Sequence, residues 1–119
     1  MPSLRELEAQ FKKYRPEPGS GGIYEPREQL ADADGVRFLC PKCFAAKLDW
    51  VHPVYIGFRG RATPGTYGYN SKGDPVLWDL APSSTGLDDL VLTPSIQIEG
   101  GCNWHGFIGS SGVPPGHAQ

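Results

Sequence analysis

The first fifteen residues carry apolar side chains at a helical spacing. Residues 3–6 have the form of a capping box, in which Ser3 is the N-cap and Glu6 reaches back to it. The apolar positions fall on one helical stripe: Leu4, Leu7, Phe11 and Tyr14. Pro16 ends the pattern, because the residue before a proline avoids the helical region. The pattern therefore predicts a helix over residues 3–15.

Short strands are predicted along the rest of the chain. Residues 36–39 read as a strand that runs into Cys40. Alternation over residues 51–58 gives one set of side chains a shared face: His52, Val54, Ile56 and Phe58. Pro53 marks this strand as an edge strand or a bulged one. Further strands are predicted at residues 75–80, 87–92 and 95–99.

A Gly- and Pro-rich segment at residues 16–22 separates the two patterns and is typical of a flexible linker. Residues 109–119 have a similar composition and predict a mobile tail. The predicted architecture is mainly β, with a small antiparallel domain over residues 23–119. Residues 1–22 are predicted to form a separate N-terminal helix and linker. Deletion of residues 1–19 is therefore expected to leave the β domain folded.

Length and charge narrow the functional classes. The chain has 119 residues, which suits one domain with a modest core. Its formal net charge is −2 and its basic residues are scattered, so we expect no nucleic-acid partner. It has no run of the ~18 apolar residues that a membrane span needs. Its polar N-terminus does not resemble a signal peptide, so secretion by that route is not expected.

All three cysteines belong to two short ligand motifs. Cys40 and Cys43 form a CxxC step, and Cys102 and His105 form a CxxH step. Two intervening residues let a tight turn present both side chains to one ion, and Cys₃His is a usual tetrahedral zinc set. Because each step follows a predicted strand, the sequence predicts a Zn²⁺ ion that pins two strand ends of the β domain.

Other interpretations of the cysteines stay open. A free cysteine is often just a small buried hydrophobic residue. A redox CxxC normally opens a helix in a βαβ unit, whereas here Pro41 follows Cys40 and no βαβ pattern is present. A zinc ion with four protein ligands has no open position for a catalytic water. The predicted site therefore indicates a contribution to stability rather than to catalysis.

Ser95 is a candidate nucleophile, with His52 as its general base. Strand parity points His52 toward the apolar side. Asp88 and Asp89 lie near Ser95 in sequence, so the residue types of a catalytic triad are present. No Gly-x-Ser-x-Gly elbow marks the serine. The structural alternative is that Ser95 bonds to backbone groups at a strand start and that His52 is a half-buried, hydrogen-bonded side chain.

Four segments together resemble an uncharacterised family of small proteins from tailed bacteriophages and prophages. The segments are GVRFLCPKCF at residues 35–44, GLDDL at 86–90, PSI at 94–96 and GCNWHG at 101–106. The resemblance covers about residues 31–108 and implies a location in the virion or the host cytoplasm. Members are often mislabelled ammonia monooxygenase, a membrane copper enzyme, and a chain without a membrane span does not fit that label.

A more remote branch of this family is found in bacterial ubiquitin-like conjugation operons. That branch is thought to act as a serine-type peptidase that trims or removes the ubiquitin-like protein. Its Cys-Pro-Cys, His, Pro-Ser and Cys-x-x-His elements match Cys40–Pro41, His52, Pro94–Ser95 and 102–105. The resemblance therefore implies Ser95 and His52 as catalytic residues. This chain departs from the branch in its Cys-x-x-Cys spacing and in Pro53 after His52.

Three functional classes follow from these patterns. The first is a non-enzymatic phage protein, either a virion component or an accessory factor, whose N-terminal helix docks on a protein partner. The second is a serine hydrolase that acts on a ubiquitin-like or other protein. The third is a metal-dependent module that binds a host protein.

Overall fold

The computed structural model describes residues 4–19, 21–47, 49–70, 72–97 and 105–108. Its strands are β1 (Gln10–Arg15), β2 (Ile23–Arg27), β3 (Gly35–Leu39), β4 (Pro53–Gly57), β5 (Asp79–Leu80), β6 (Leu92–Gln97) and β7 (His105–Ile108). A one-turn helix α1 spans Pro41–Ala45, and a 3₁₀ turn spans Leu30–Asp32. The prediction of a mainly β, antiparallel fold is confirmed.

Two antiparallel sheets form the fold. The larger sheet has the order β2-β1-β3-β4, and the smaller one has the order β5-β6-β7. The predicted strands at residues 36–39 and 51–58 correspond to β3 and β4, and Pro53 begins β4 at the sheet edge, as expected of a strand proline. The register of β6 against β7 shifts between Leu92 and Ile96, around Pro94, which has no N–H for the ladder.

The prediction of a separate N-terminal helix is wrong. Residues 10–15 form β1, which pairs with β2 on one side and with β3 on the other. Ahead of it, residues 4–8 form turns in which Glu8 has a φ of 56°. Leu4 and Leu7 are fully buried, so this segment is part of the core. A helix of about thirteen residues is marginal by itself in water, and pairing on both strand edges outweighs its weak propensity.

Residues 16–22, predicted as a linker, connect β1 to β2 in an antiparallel hairpin. Gly19 and Gly21 have φ values of 84° and 83°, a region that glycine occupies without strain. Tyr14 donates a hydrogen bond from its hydroxyl to the Gly21 carbonyl. The predicted tail at residues 109–119 lies outside the described residues.

The strand predicted at residues 87–92 is wrong for most of its length. Residues 86–89 form a bend and a turn, and the strand begins only at Leu92. The Asp89 carboxylate accepts hydrogen bonds from the backbone N–H groups of Thr85 and Gly86, at 2.8 Å each. A carboxylate that binds nearby backbone groups in this way favours a turn over a strand.

One hydrophobic core includes side chains from both sheets. The larger sheet contributes Phe11, Val36, Phe38, Val54 and Ile56, and the smaller sheet contributes Leu92 and Ile108. Cys40 and Cys43 belong to the same buried cluster. None of the helices in the described ranges is long and apolar enough to cross a membrane.

Candidate metal centre

The β3–β4 ladder brings Cys40 beside His52. The ladder ends with the pair of Leu39 and Pro53, and the Cys40 N–H continues it by donating to the His52 carbonyl over 2.9 Å. Cys40 has the same strand parity as Phe38, and His52 has the same parity as Val54, so both point to the core side of the sheet.

Helix α1 returns Cys43 to the same place. Cys40 is its N-cap and Pro41 its first residue, where a fixed φ suits a helix start. The Phe44 N–H donates to the Cys40 carbonyl over 2.9 Å and closes the turn. Cys40 is fully buried and Cys43 is 6% exposed. The CxxC step therefore forms a tight knuckle at the end of β3.

The side chains of Cys40, Cys43 and His52 converge. Their ligand atoms, two sulfurs and one imidazole nitrogen, all lie within 4.8 Å of one another. Atoms that share a tetrahedral zinc ion are about 3.8 Å apart or less, given Zn–S bonds of about 2.3 Å and Zn–N bonds of about 2.0 Å. A closure of at most about 1 Å would therefore bring the three atoms within zinc-bonding distance. Cys40 and Cys43 form no disulfide in the described structure.

The imidazole of His52 has a defined orientation. Its Nδ1 lies 3.3 Å from the carbonyl oxygen of Pro53. Because a carbonyl only accepts hydrogen bonds, a hydrogen bond across this contact requires the proton on Nδ1. Metal-bound histidines commonly donate their second ring N–H to a carbonyl in this way. Trp50 lies beside His52, with the two ring centroids 6.2 Å apart, and is 71% exposed.

The other two predicted ligands, Cys102 and His105, belong to the second motif, the CxxH step. Cys102 lies outside the described residues, and His105 begins β7, where its backbone pairs with Gln97. Their assignment as ligands stays a prediction. His52 was predicted as a catalytic base, and the structure places it with the cysteines instead. Only part of the signal was present in the sequence: two strands that follow one another bring the end of the first beside the start of the second if they pair antiparallel.

The redox interpretation meets one of its conditions and misses another. The CxxC step does open a helix, α1. However, β3 and β4, the strands on either side of α1, are antiparallel neighbours, so the unit is not βαβ. Both thiols are also buried, whereas reactive cysteines are partly exposed. The arrangement favours a structural metal site.

The two aspartates proposed for the triad have other partners. Arg5 donates to both carboxylate oxygens of Asp88, at 2.8 and 3.2 Å, and its hydrogen bond holds the pKa of Asp88 below its ordinary value. The Thr85 hydroxyl donates to Asp89 over 2.6 Å, and this bond is the main cause of the lowered pKa of Asp89. Ser95 lies on β6, and its meeting with His52 stays a prediction.

A cleft of about 280 Å³ lies elsewhere on the surface. Phe11 and Leu30 are among its apolar walls, and Arg5 and Glu28 are among its polar ones. None of the three clustered ligand residues lines it. The Cys/His cluster and the cleft are therefore separate features of the molecule. Comparisons with models of protein families, with curated proteins and with solved structures find no match.

Proposed function

We propose that this chain is a non-enzymatic β module stabilised by one structural Zn²⁺ ion, with Cys40, Cys43 and His52 among the ligands. The observation that supports it is the convergence of two buried thiols and one imidazole at the end of β3. Thiolate and imidazole together are the donor set that zinc prefers.

The fourth ligand comes from the second motif. A structural zinc site needs four protein ligands, and the cluster supplies three. Cys102 and His105 are the remaining candidates, so five candidate ligands compete for four positions. Cys102 is the better partner, because a Cys₃His set then forms with His52 as its histidine. His105 would be the histidine of that set only if His52 were released.

A closed zinc site supports a structural role for the domain. Zinc binding contributes folding free energy directly when no preformed site exists in the unfolded chain. The resemblance to small proteins of tailed phages supports a role in the virion or in the host cytoplasm, as a component or an accessory factor that binds a protein. Since residues 10–15 form β1, a free N-terminal helix does not serve as the docking element.

The serine-hydrolase alternative competes for the same atom. A general base uses the lone pair on His52 Nε2, and so does a metal. Because Nδ1 lies beside the Pro53 carbonyl, both roles would use Nε2. The proximity of two cysteines favours the ligand role over the base role.

Metal removal and a serine-directed probe test this proposal together. Removing zinc with a chelator should lower the free energy of unfolding by several kcal/mol, because binding and folding are coupled. A fluorophosphonate probe should label neither the wild type nor Ser95→Ala. Labelling of the wild type that Ser95→Ala abolishes would establish the hydrolase instead. Stoichiometric presence of the chain in purified virions would separate a virion component from an accessory factor.

A further inference from the structure

Charge is unevenly distributed over the larger sheet. The chain as a whole has 11 basic and 13 acidic residues. The four strands of the larger sheet, by contrast, carry Glu25 as their single acidic residue. Their basic residues are Lys12, Lys13, Arg15, Arg27 and Arg37. The sheet is therefore a basic region of an acidic chain.

Most of these cations are paired. Arg15 and Arg27 both contact the Glu25 carboxylate, at 3.2 and 3.1 Å. Lys13 lies 3.9 Å from the buried carboxylate of Asp34. Lys12 and Arg37 form no ion pair with any residue in the described ranges.

The two unpaired cations are neighbours on the outer face of the sheet. Lys12 is opposite Gly35 and Arg37 is opposite Gln10, so Lys12 and Arg37 are diagonal neighbours on the face away from Phe11 and the core. Both side chains are half-buried. Burial, and next the charge of Arg37, lower the pKa of Lys12. Two cations are thus held together where an anion would relieve their repulsion.

Tyrosines lie on the same face as Lys12 and Arg37. Tyr24 packs against the rings of Tyr14, Tyr55 and Tyr67, with centroids 5.0 to 5.2 Å apart. Tyr55 is opposite Arg37 on the neighbouring strand and is 37% exposed. We call Lys12, Tyr14, Tyr24, Arg37 and Tyr55 the tyrosine–cation face. Tyrosine and arginine are the residues most enriched at energetically important protein interfaces.

The two edges of the larger sheet are poorly suited to pairing with a strand of a partner. Both outer strands of the larger sheet contain a proline, Pro26 in β2 and Pro53 in β4. Proline has no N–H to donate to an added strand, and edge prolines are a known protection against such pairing. A partner of this sheet therefore lies across its face.

We propose that the tyrosine–cation face binds an acidic segment of a protein partner, with Asp or Glu carboxylates on Lys12 and Arg37 and an apolar side chain against Tyr55. The inference rests on the proposed function as a protein-binding module and names its docking surface. Charge complementarity selects the occupant, because the two cations lack an acidic partner within the described chain.

A nucleic-acid occupant fits the same face less well. Binding of a phosphate backbone gains strength with each phosphate that Lys or Arg neutralises, and this face offers two unpaired cations. The net charge of −2 also repels a long polyanion. Two cations match the one or two carboxylates of a short acidic segment.

Selection from a library of random short peptides tests the proposal. Peptides retained by the zinc-loaded wild type should be enriched in Asp, Glu and apolar residues relative to the unselected library. The same selection with Lys12→Glu/Arg37→Glu should lose that enrichment, and Lys72→Glu, which reverses an exposed loop charge, should keep it. Near-ultraviolet circular dichroism and zinc content check that each variant is folded.

Binding of one selected peptide gives the quantitative test. The neutral variant Arg37→Gln, which disturbs the fold less than charge reversal, should weaken binding by about tenfold or more. Added salt should weaken the wild-type complex further. The proposal is overturned if acidic peptides are not enriched, if Arg37→Gln binds them as tightly as the wild type, or if oligo-dT binds in their place. Failure here with an intact zinc site would remove the docking surface and leave the metal-stabilised module standing.

Discussion

At the scale of single residues, Asp34 shows how a charge is accommodated beside the core. Its side chain is buried, at 5% exposure for the residue. It accepts hydrogen bonds from the Tyr67 hydroxyl over 2.6 Å and from the Tyr14 N–H over 3.1 Å, and Lys13 lies 3.9 Å away. A buried carboxylate is costly unless it is hydrogen-bonded and paired. Asp34 therefore links β1, the start of β3 and the loop that carries Tyr67.

Replacing Tyr67 by Phe should remove one of these donors. We expect Tyr67→Phe to lower the free energy of unfolding at neutral pH by about 1–3 kcal/mol, because the bond is buried and its acceptor is charged. Tyr69→Phe is the matched control, since Tyr69 is 64% exposed, and should change stability by less than about 0.5 kcal/mol. Equal urea midpoints for the two variants would contradict this account of Asp34.

Gly35 is required for close packing rather than for backbone freedom. A Cβ at this position would lie 2.5 Å from the Tyr67 ring and 2.6 Å from the Ile56 carbonyl oxygen. Gly35→Ala should therefore destabilise the fold by about 1–3 kcal/mol through overpacking. Gly86→Ala is the control, because a Cβ there meets nothing within 4 Å. Thermal unfolding of both variants measures the difference, and a neutral Gly35→Ala would refute the close approach of Tyr67.

The position of His52 beside the two cysteines was predictable from the sequence only in part. Parity correctly placed His52 on the apolar side of a strand, and the CxxC step was recognised as a metal motif. The contact between them depends on the pairing of β3 with β4, which is a tertiary fact. His52 could be grouped with the CxxC step only after that pairing was known.

At the scale of elements, the strands with clear alternation were predictable and the N-terminal segment was not. Residues 51–58 alternate cleanly, and β4 forms within them, over Pro53–Gly57. In residues 3–15, the spacing of Leu4, Leu7 and Phe11 is that of a helical stripe. The same three side chains are buried by a turn followed by a strand, so the spacing alone does not distinguish the two structures. The capping box is a local signal worth about 1 kcal/mol, which two strand ladders and core burial exceed.

Deletion of residues 1–9 should unfold the domain. Leu4 and Leu7 are fully buried in the common core, and their loss leaves a void beneath both sheets. The point variant Leu7→Ala should cost about 2–5 kcal/mol. Glu28→Ala, at an exposed position, should stay within about 0.5 kcal/mol of the wild type. Chemical denaturation measures both variants, and a deletion protein that unfolds cooperatively with the wild-type midpoint would show the segment to be dispensable.

At the scale of the whole molecule, the larger sheet separates a core face, which carries the Cys/His cluster, from a tyrosine-rich outer face. Cys40 lies in the core cluster of the inner side, whereas Tyr24 and Tyr55 lie on the outer side. Whole-chain charge did not reveal the basic character of this sheet, because acidic residues lie mostly in the loops between strands. The separation is a product of the fold and not of composition.

Tyrosines whose pKa is raised by folding should make the fold less stable at alkaline pH. Burial, followed by the hydrogen bond to Asp34, raises the pKa of Tyr67, and burial also raises the pKa of Tyr24. Above about pH 10 the unfolded chain loses these phenolic protons while the folded chain keeps them, so the free energy of unfolding falls as pH rises. Urea titrations from neutral pH to about pH 11 should show this fall, and Tyr67→Phe should reduce it. Parallel profiles for both proteins would contradict the assignment.

Zinc content of purified protein tests the central claim most directly. Elemental analysis should find about one Zn²⁺ per chain in the wild type, and the zinc should be lost in Cys40→Ser and in His52→Gln because each removes a ligand. His117→Gln is the control histidine substitution and should retain the metal. A metal-free wild type that is fully folded, or a His52→Gln protein that keeps its full zinc content, would contradict the account.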